Sequence, residues 1–139
     1  MNALLSQEPS ETVPDVFSGG KTERSLMRLV SCFIRPERLE AVRDALNSLQ
    51  VVGGMTLTDV QGFGRQKGHA EHYRGEEYKI RFIPKVRIDV AVPVDVVDRV
   101  IEAVSTAART GQVGDGKIFV MDLESALRIR TGEQGAIAL

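Results

Sequence analysis

Three segments of the chain combine glycine with positive charge, a pairing suited to anions. Glycine lets backbone N–H groups approach a ligand closely, and Lys or Arg supplies the counter-charge. The first is Gly62-Phe63-Gly64-Arg65-Gln66-Lys67-Gly68-His69. Its spacing, G-x-G-x-x-x-G, is not the dinucleotide fingerprint, and it follows no strand-to-helix turn. The second, Gly111-Gln112-Val113-Gly114-Asp115-Gly116-Lys117, fits G-x-x-x-x-G-K, the first seven positions of a P-loop. The eighth position needs a Ser or Thr hydroxyl for magnesium and is Ile118. This segment also leaves a helix for a strand, the reverse of a P-loop, so a P-loop NTPase is rejected while a phosphate-wrapping turn is retained. The third is Arg128-Ile129-Arg130-Thr131-Gly132. On a strand, side chains two apart share a face, so both guanidiniums would converge on one anion while Ile129 packs inward. Arg65, Lys117, Arg128 and Arg130 together could neutralise a triphosphate, with arginine offering forked donors.

Other reactive residue types do not assemble into a catalytic set. His69 and His72 stand three apart without a companion carboxylate or cysteine cluster, so they read as loop histidines rather than metal ligands. The single cysteine, Cys32, lies in an apolar strand and reads as core. No Ser-His-Asp or Cys-His arrangement is apparent, and no enzymatic turnover is expected.

The elements that must position these segments follow from periodicity. Residues 28–35 read as a strand closed by Pro36, and Leu39, Val42, Leu46 and Leu49 recur at helical spacing up to about Gln50. Gly53-Gly54 is expected to supply the turn that follows. Residues 55–60 alternate as a half-buried strand. A long polar stretch, 62–77, precedes renewed strand signals at 78–83, which Pro84 is expected to interrupt before 86–92 alternate again. Val96, Val97, Val100, Ile101, Val104 and Ala108 mark a second amphipathic helix, and 117–121 a last strand. The order strand–helix–strand–strand–helix–strand predicts an α+β, ferredoxin-like βαββαβ fold with a long loop between strands 2 and 3. Hairpin loops usually take 2–5 residues, and one this long is commonly functional. From Arg65 to Arg87 it and its exit carry seven Lys/Arg against three Glu.

With 139 residues, 42% of them hydrophobic and 27% charged, the chain has the size of one domain. A net charge of −1 argues against a globally basic nucleic-acid binder, and one cysteine excludes an intrachain disulfide. No apolar run approaches the ~20 residues of a membrane span. Residues 1–26 hold breakers and little periodicity and lack the marks of a signal or transit peptide. They read as a disordered or over-extended N-terminal segment ahead of a domain at 27–139, in a cytoplasmic protein.

Taken together and in order, Gly62 to His69, Tyr73-Arg74-Gly75 with Glu77-Tyr78, Phe82 to Val86, Thr110 to Phe119 and Arg128 to Glu133 resemble the PII nitrogen-regulatory signalling proteins. The resemblance covers Met27 to Leu139. It implies a homotrimer that binds ATP or ADP in the clefts between subunits, and 2-oxoglutarate with magnesium-ATP at the base of the long loop, the family's T-loop. The loop would dock onto an ammonium channel and nitrogen-assimilation regulatory enzymes, including those that control glutamine synthetase. A membrane would be met only through that channel, and no nucleic acid is implied.

By the same resemblance, Gly114, Asp115, Gly116 and Lys117 match the phosphate-contacting B-loop. Arg128 and Arg130 match arginines that reach the nucleotide from a neighbouring subunit, and Thr56, Gly62, Gly64 and Arg65 match further positions of that cleft. Gln66 matches the magnesium ligand of the 2-oxoglutarate state. Lys85 matches the cation that pairs with a 2-oxoglutarate carboxylate, and Lys67 and Gly68 the turn that closes over it. Tyr78 matches a tyrosine uridylylated in many bacterial members. Glu76 occupies the position where cyanobacterial members carry a phosphorylated serine.

Two other functions compete. An RNA-binding module shares this topology, but residues 86–92 lack the aromatics that such a module stacks on bases. A slow ATPase would need a general base that the chain does not evidently offer.

Overall fold

The computed structural model describes residues 26–63 and 81–139. Strand β1 spans Met27–Ile34, helix α1 Leu39–Leu49, strand β2 Thr56–Gly62, strand β3 Ile83–Pro93, helix α2 Val97–Ala108 and strand β4 Gly116–Asp122. The four strands form one antiparallel sheet in the order β2-β3-β1-β4. This is the expected ferredoxin-like βαββαβ arrangement.

Alternation in the strands decides which face is covered. Val30, Cys32 and Ile34 on β1 and Val86, Ile88, Val90 and Val92 on β3 are all buried beneath the helices. β-Branched residues dominate this set, as suits a pleated packing surface. Helix α1 contributes Val42 and Leu46, and α2 contributes Val100, Val104 and Ala108, at spacings that place each set on one stripe. A 3-10 turn over Pro36–Arg38 leads into α1, and the Arg38 guanidinium donates two hydrogen bonds to the Ala107 carbonyl, at 2.9 and 2.6 Å. That contact satisfies a carbonyl near the C-terminus of α2, which has no partner within the helix.

The opposite face carries no helix. There Phe33 and Phe119 meet edge-on at 5.9 Å, and the Arg87 guanidinium lies 5.5 Å from the Phe33 ring centre. Asp89 accepts from the Ser31 hydroxyl at 2.6 Å and from Arg87 Nε at 2.9 Å. Phe119 and Met121 remain nearly half exposed on this face of the single chain.

Three local expectations are corrected. Pro84 does not interrupt β3 but lies within it, opposite Gln61. The β1 ladder ends at Ile34 opposite Val86, so at Pro84 only β2 is alongside and the missing N–H leaves no donor unpaired. The turn after α1 is made by Gln50, at φ 59° and ψ 21°, and not by Gly53-Gly54. Gly53 serves another purpose, because a Cβ there would approach the Leu139 carbonyl carbon to 3.2 Å. The third concerns Arg128 to Arg130, which form no strand. Leu127 bridges to Gln134, and the residues between them turn on the Gly132 N–H bond to the Arg128 carbonyl, at 2.7 Å. Ile129, expected to pack inward, stands 92% exposed at the tip of that turn.

Candidate functional site

The glycine-rich segment connects α2 to β4 and is held shut by one carboxylate. Asp115 accepts hydrogen bonds from the Thr110 hydroxyl at 2.5 Å and from the Thr110 and Gly111 N–H groups, both at 2.8 Å. It also accepts from Arg35 Nε at 3.0 Å. The Thr110 hydroxyl and N–H, then Arg35 and the Gly111 N–H, hold the Asp115 carboxyl well below the usual carboxylate range. Glycine is required where the chain reverses, because Gly111, Gly114 and Gly116 all take positive φ, at 89°, 103° and 110°.

Two cations flank this turn. Arg35 follows β1 directly, and besides Asp115 it donates from Nη2 to the Val113 carbonyl at 2.8 Å. Lys85, on β3, donates from its ammonium to the Gly114 carbonyl. Arg35, Lys85, Pro36, Glu37, Ile83 and Pro84 line a cleft of about 200 Å³. Ile83 and Pro84 bring the start of β3, where the chain returns from the loop between β2 and β3, to this cleft. Phe63 and Phe82, which flank the loop, meet at 6.1 Å between ring centres, each about 60% exposed. A larger hollow of about 630 Å³ lies between the helices at Ala45, Leu49, Arg99, Ala103 and Ala107.

The expected anion-binding residues fall into two groups at opposite ends of the sheet. Gly62, Lys85 and the turn Gly114 to Lys117 gather at the end where β1 finishes and β4 begins. Arg128 and Arg130 follow β4 beyond Asp122, whose end of the strand is roughly 20 Å from Gly116 at ~3.3 Å per strand residue. The Arg128 guanidinium is bonded to Glu133 at 2.6 Å and to the Ile137 and Leu139 carbonyls, both at 3.2 Å. Leu139 in turn lies against Gly53, which precedes β2, whereas Thr56 at the start of β2 pairs with Asp89 and is level with Phe119 in the middle of the sheet. Gly64, Arg65, Gln66, Lys67, Gly68 and Tyr78 lie outside the described residues.

Residues 27–133 match the family model described as Nitrogen regulatory protein P-II. The chain belongs to the P-II family. Among its relatives, Nitrogen regulatory protein GlnK of Escherichia coli (strain K12) is 58% identical over 113 residues, 81% of this chain and 100% of the relative. Nitrogen regulatory protein P-II of Rhizobium etli is 50% identical over the same span. The crystal structure of Arabidopsis thaliana PII bound to citrate superposes with a TM-score of 0.68 at 36% identity, covering 83% of this chain and 94% of that one. P-II proteins are regulatory signalling proteins, so this chain acts in nitrogen regulation and not as an enzyme.

Sequence reasoning overlooked Arg35 in this P-II protein. The only signal for it was an arginine ending a strand just before a proline. Its meaning depends on the β1–β4 register, which sets Ile34 opposite Gly116 and so brings the next residue beside the turn. Conversely, the Asp115 carboxylate faces the turn's own donors, which leaves the backbone N–H as what Asp115 can offer an anion.

Proposed function

We infer that this P-II protein senses adenine nucleotide and 2-oxoglutarate, as a cytoplasmic homotrimer that reports through the loop between β2 and β3. The observation that carries this reading is the meeting of Lys85, Arg35 and the glycine-rich turn at the base of that loop. The turn offers backbone donors for phosphate, with Lys117 directly after it. The Lys85 ammonium offers a dicarboxylate its counter-charge beside the same turn. Gln66, Lys67, Gly68 and the nucleotide-cleft positions Gly62, Gly64 and Arg65 would complete the pocket from the loop. Citrate in the Arabidopsis thaliana protein is a carboxylate ligand of a relative and agrees with carboxylate recognition in this fold.

Two features support the trimer. In one chain Arg128 and Arg130 follow the far end of β4, about 20 Å along that strand from the turn, so a neighbouring copy is the natural source of these arginines for a nucleotide bound there. The helix-free sheet face, with Phe33, Phe119 and Met121, offers apolar surface for that contact.

Among the described residues no three His, Cys, Asp or Glu cluster so as to hold a metal. This donor set fits a magnesium ion that arrives on nucleotide phosphates, to which Gln66 would add a side-chain oxygen and which would supply charge neutralisation. ATP, ADP and 2-oxoglutarate would each shift the loop only as far as they bind one loop state better than another. The loop states would then select among an ammonium channel and nitrogen-assimilation regulatory enzymes, among them those that control glutamine synthetase. Tyr78, on the loop, is the residue a uridylylating enzyme would modify.

Calorimetric titration of 2-oxoglutarate with and without magnesium-ATP tests this reading. Binding that requires magnesium-ATP is expected. Nucleotide binding with no 2-oxoglutarate response would reduce the protein to a nucleotide sensor, and no binding of either would overturn the reading.

A further inference from the structure

We propose that Arg35 is a positioning residue for the phosphate-binding turn: it aims the backbone donors of Gly114 and Asp115 without touching the phosphate itself. This rests on the nucleotide reading above. In a trans peptide the C=O and the following N–H point in opposite directions. Arg35 Nη2 draws the Val113 carbonyl to one side, at 2.8 Å, and the Lys85 ammonium draws the Gly114 carbonyl. The N–H groups of those two peptides belong to Gly114 and Asp115, so both are turned away from the cations. Val113 and Gly114 form a hydrogen-bonded turn that Asp115 closes, the Gly114 N–H has no hydrogen-bond acceptor among the described residues, and N–H groups converging in such a turn form an anion-binding concavity.

Arg35 is poorly suited to be the anion's own partner. Its Nε is engaged by Asp115 at 3.0 Å, and Nη1 lies 4.0 Å from Glu37. Its guanidinium therefore carries two carboxylate neighbours and a carbonyl, and serves as a bracket between β1 and the turn. Asp115 forms the other half of the bracket, tying Thr110 and Gly111 to the same guanidinium. Lysine could hold the carboxylate or the carbonyl at this position, but its single ammonium lacks the planar fork that holds both.

The test is a double-mutant cycle read by calorimetric titration of magnesium-ATP, with Arg35→Gln, Asp115→Asn and the double variant. Each single variant is expected to weaken ATP about tenfold, the scale of one misdirected hydrogen bond. The double variant should be no weaker than either single one, because both break the same bracket. Arg35→Lys should recover only part of the loss. Amide hydrogen exchange and proton–nitrogen spectra of unliganded protein would show the Gly114 and Asp115 amides shifted in both variants, an effect that general destabilisation would not confine to the turn.

Direct phosphate contact predicts the opposite pattern. Asp115→Asn would then free the guanidinium and tighten ATP, which would overturn the proposal, as would unchanged affinity in Arg35→Gln. Wild-type protein that does not bind ATP would instead overturn the nucleotide reading. Should Arg35→Gln fail to fold, Arg35→Lys and Asp115→Asn still decide between the two patterns.

Discussion

Gly116 meets the carbonyl of Phe33 so closely that no Cβ could be fitted between them. Built on the glycine, a Cβ would overlap the Phe33 oxygen and lie 2.9 Å from its carbonyl carbon. Gly116 also sits at φ 110°, a conformation that side-chain-bearing residues rarely adopt. Gly116→Ala is therefore expected to destabilise the fold by roughly 2–4 kcal/mol, combining backbone strain with overpacking. Chemical denaturation at matched protein concentration checks this, as a lower midpoint with an unchanged slope. Gly111→Ala should cost less, because its positive φ is not accompanied by a close neighbour.

The pH response of the turn should be that of Asp115. Its folded pKa lies below the ordinary value of 3.8, so the stability it contributes is fully present above that value. It is lost as pH falls from about 4 towards the depressed folded value. The difference in melting temperature between wild type and Asp115→Asn should therefore be constant near neutrality and shrink below about pH 4. A gap that stayed constant down to pH 2 would show that the carboxylate does not carry the turn.

Cys32 should be silent towards thiol reagents in the native state. It is fully buried on β1, and burial, with a smaller push from Asp89, raises its pKa to about 12. Labelling at neutral pH should occur only after unfolding. Cys32→Ala should be tolerated at a modest cost, because it removes one buried sulfur and adds no polar group. Cys32→Ser places a hydroxyl among Val30, Ile88 and their neighbours and should cost about 1–3 kcal/mol.

These residues also show what the sequence could and could not disclose. Val30, Cys32 and Ile34, like Val42 and Leu46, declare their elements because one face must be apolar at period 2 or 3.6. Periodicity says nothing of register, and register is what places Arg35 beside Asp115 and makes Pro84 harmless. Gln50 taking the left-handed turn in place of the two glycines after it reflects tertiary fit, with Gly53 needed against Leu139. The pattern Arg-Ile-Arg was consistent with a strand, but the bridge between Leu127 and Gln134 makes it a turn tip. The motifs of the proposed anion site were therefore visible before their arrangement was.

Lys85→Ala separates the two ligands. Its ammonium is the cation proposed for 2-oxoglutarate, and it also holds the Gly114 carbonyl. Loss of a charge-assisted partner should weaken 2-oxoglutarate by about tenfold. ATP should weaken less, because Arg35 still orients the neighbouring peptide. Equal effects on both ligands in calorimetric titration would mean that Lys85 serves the turn alone.

The division of the proposed nucleotide residues Lys117 and Arg128 with Arg130 between the two ends of β4 makes the strongest claim on assembly, and it can be tested without a structure of the oligomer. Lys117→Ala removes a cation from one end, and Arg128→Ala with Arg130→Ala removes two from the other. Each variant oligomer alone should bind ATP poorly, since every site would lack one half. If each site combines Lys117 from one copy with the arginines of the next, mixing the two variants after dissociation and reassembly restores intact sites. In randomly mixed closed rings about a quarter of the sites would receive both wild-type halves. ATP binding at wild-type affinity with that reduced stoichiometry is the expected outcome. If all three cations met within one chain, mixing would restore nothing, because each chain would carry its own defect.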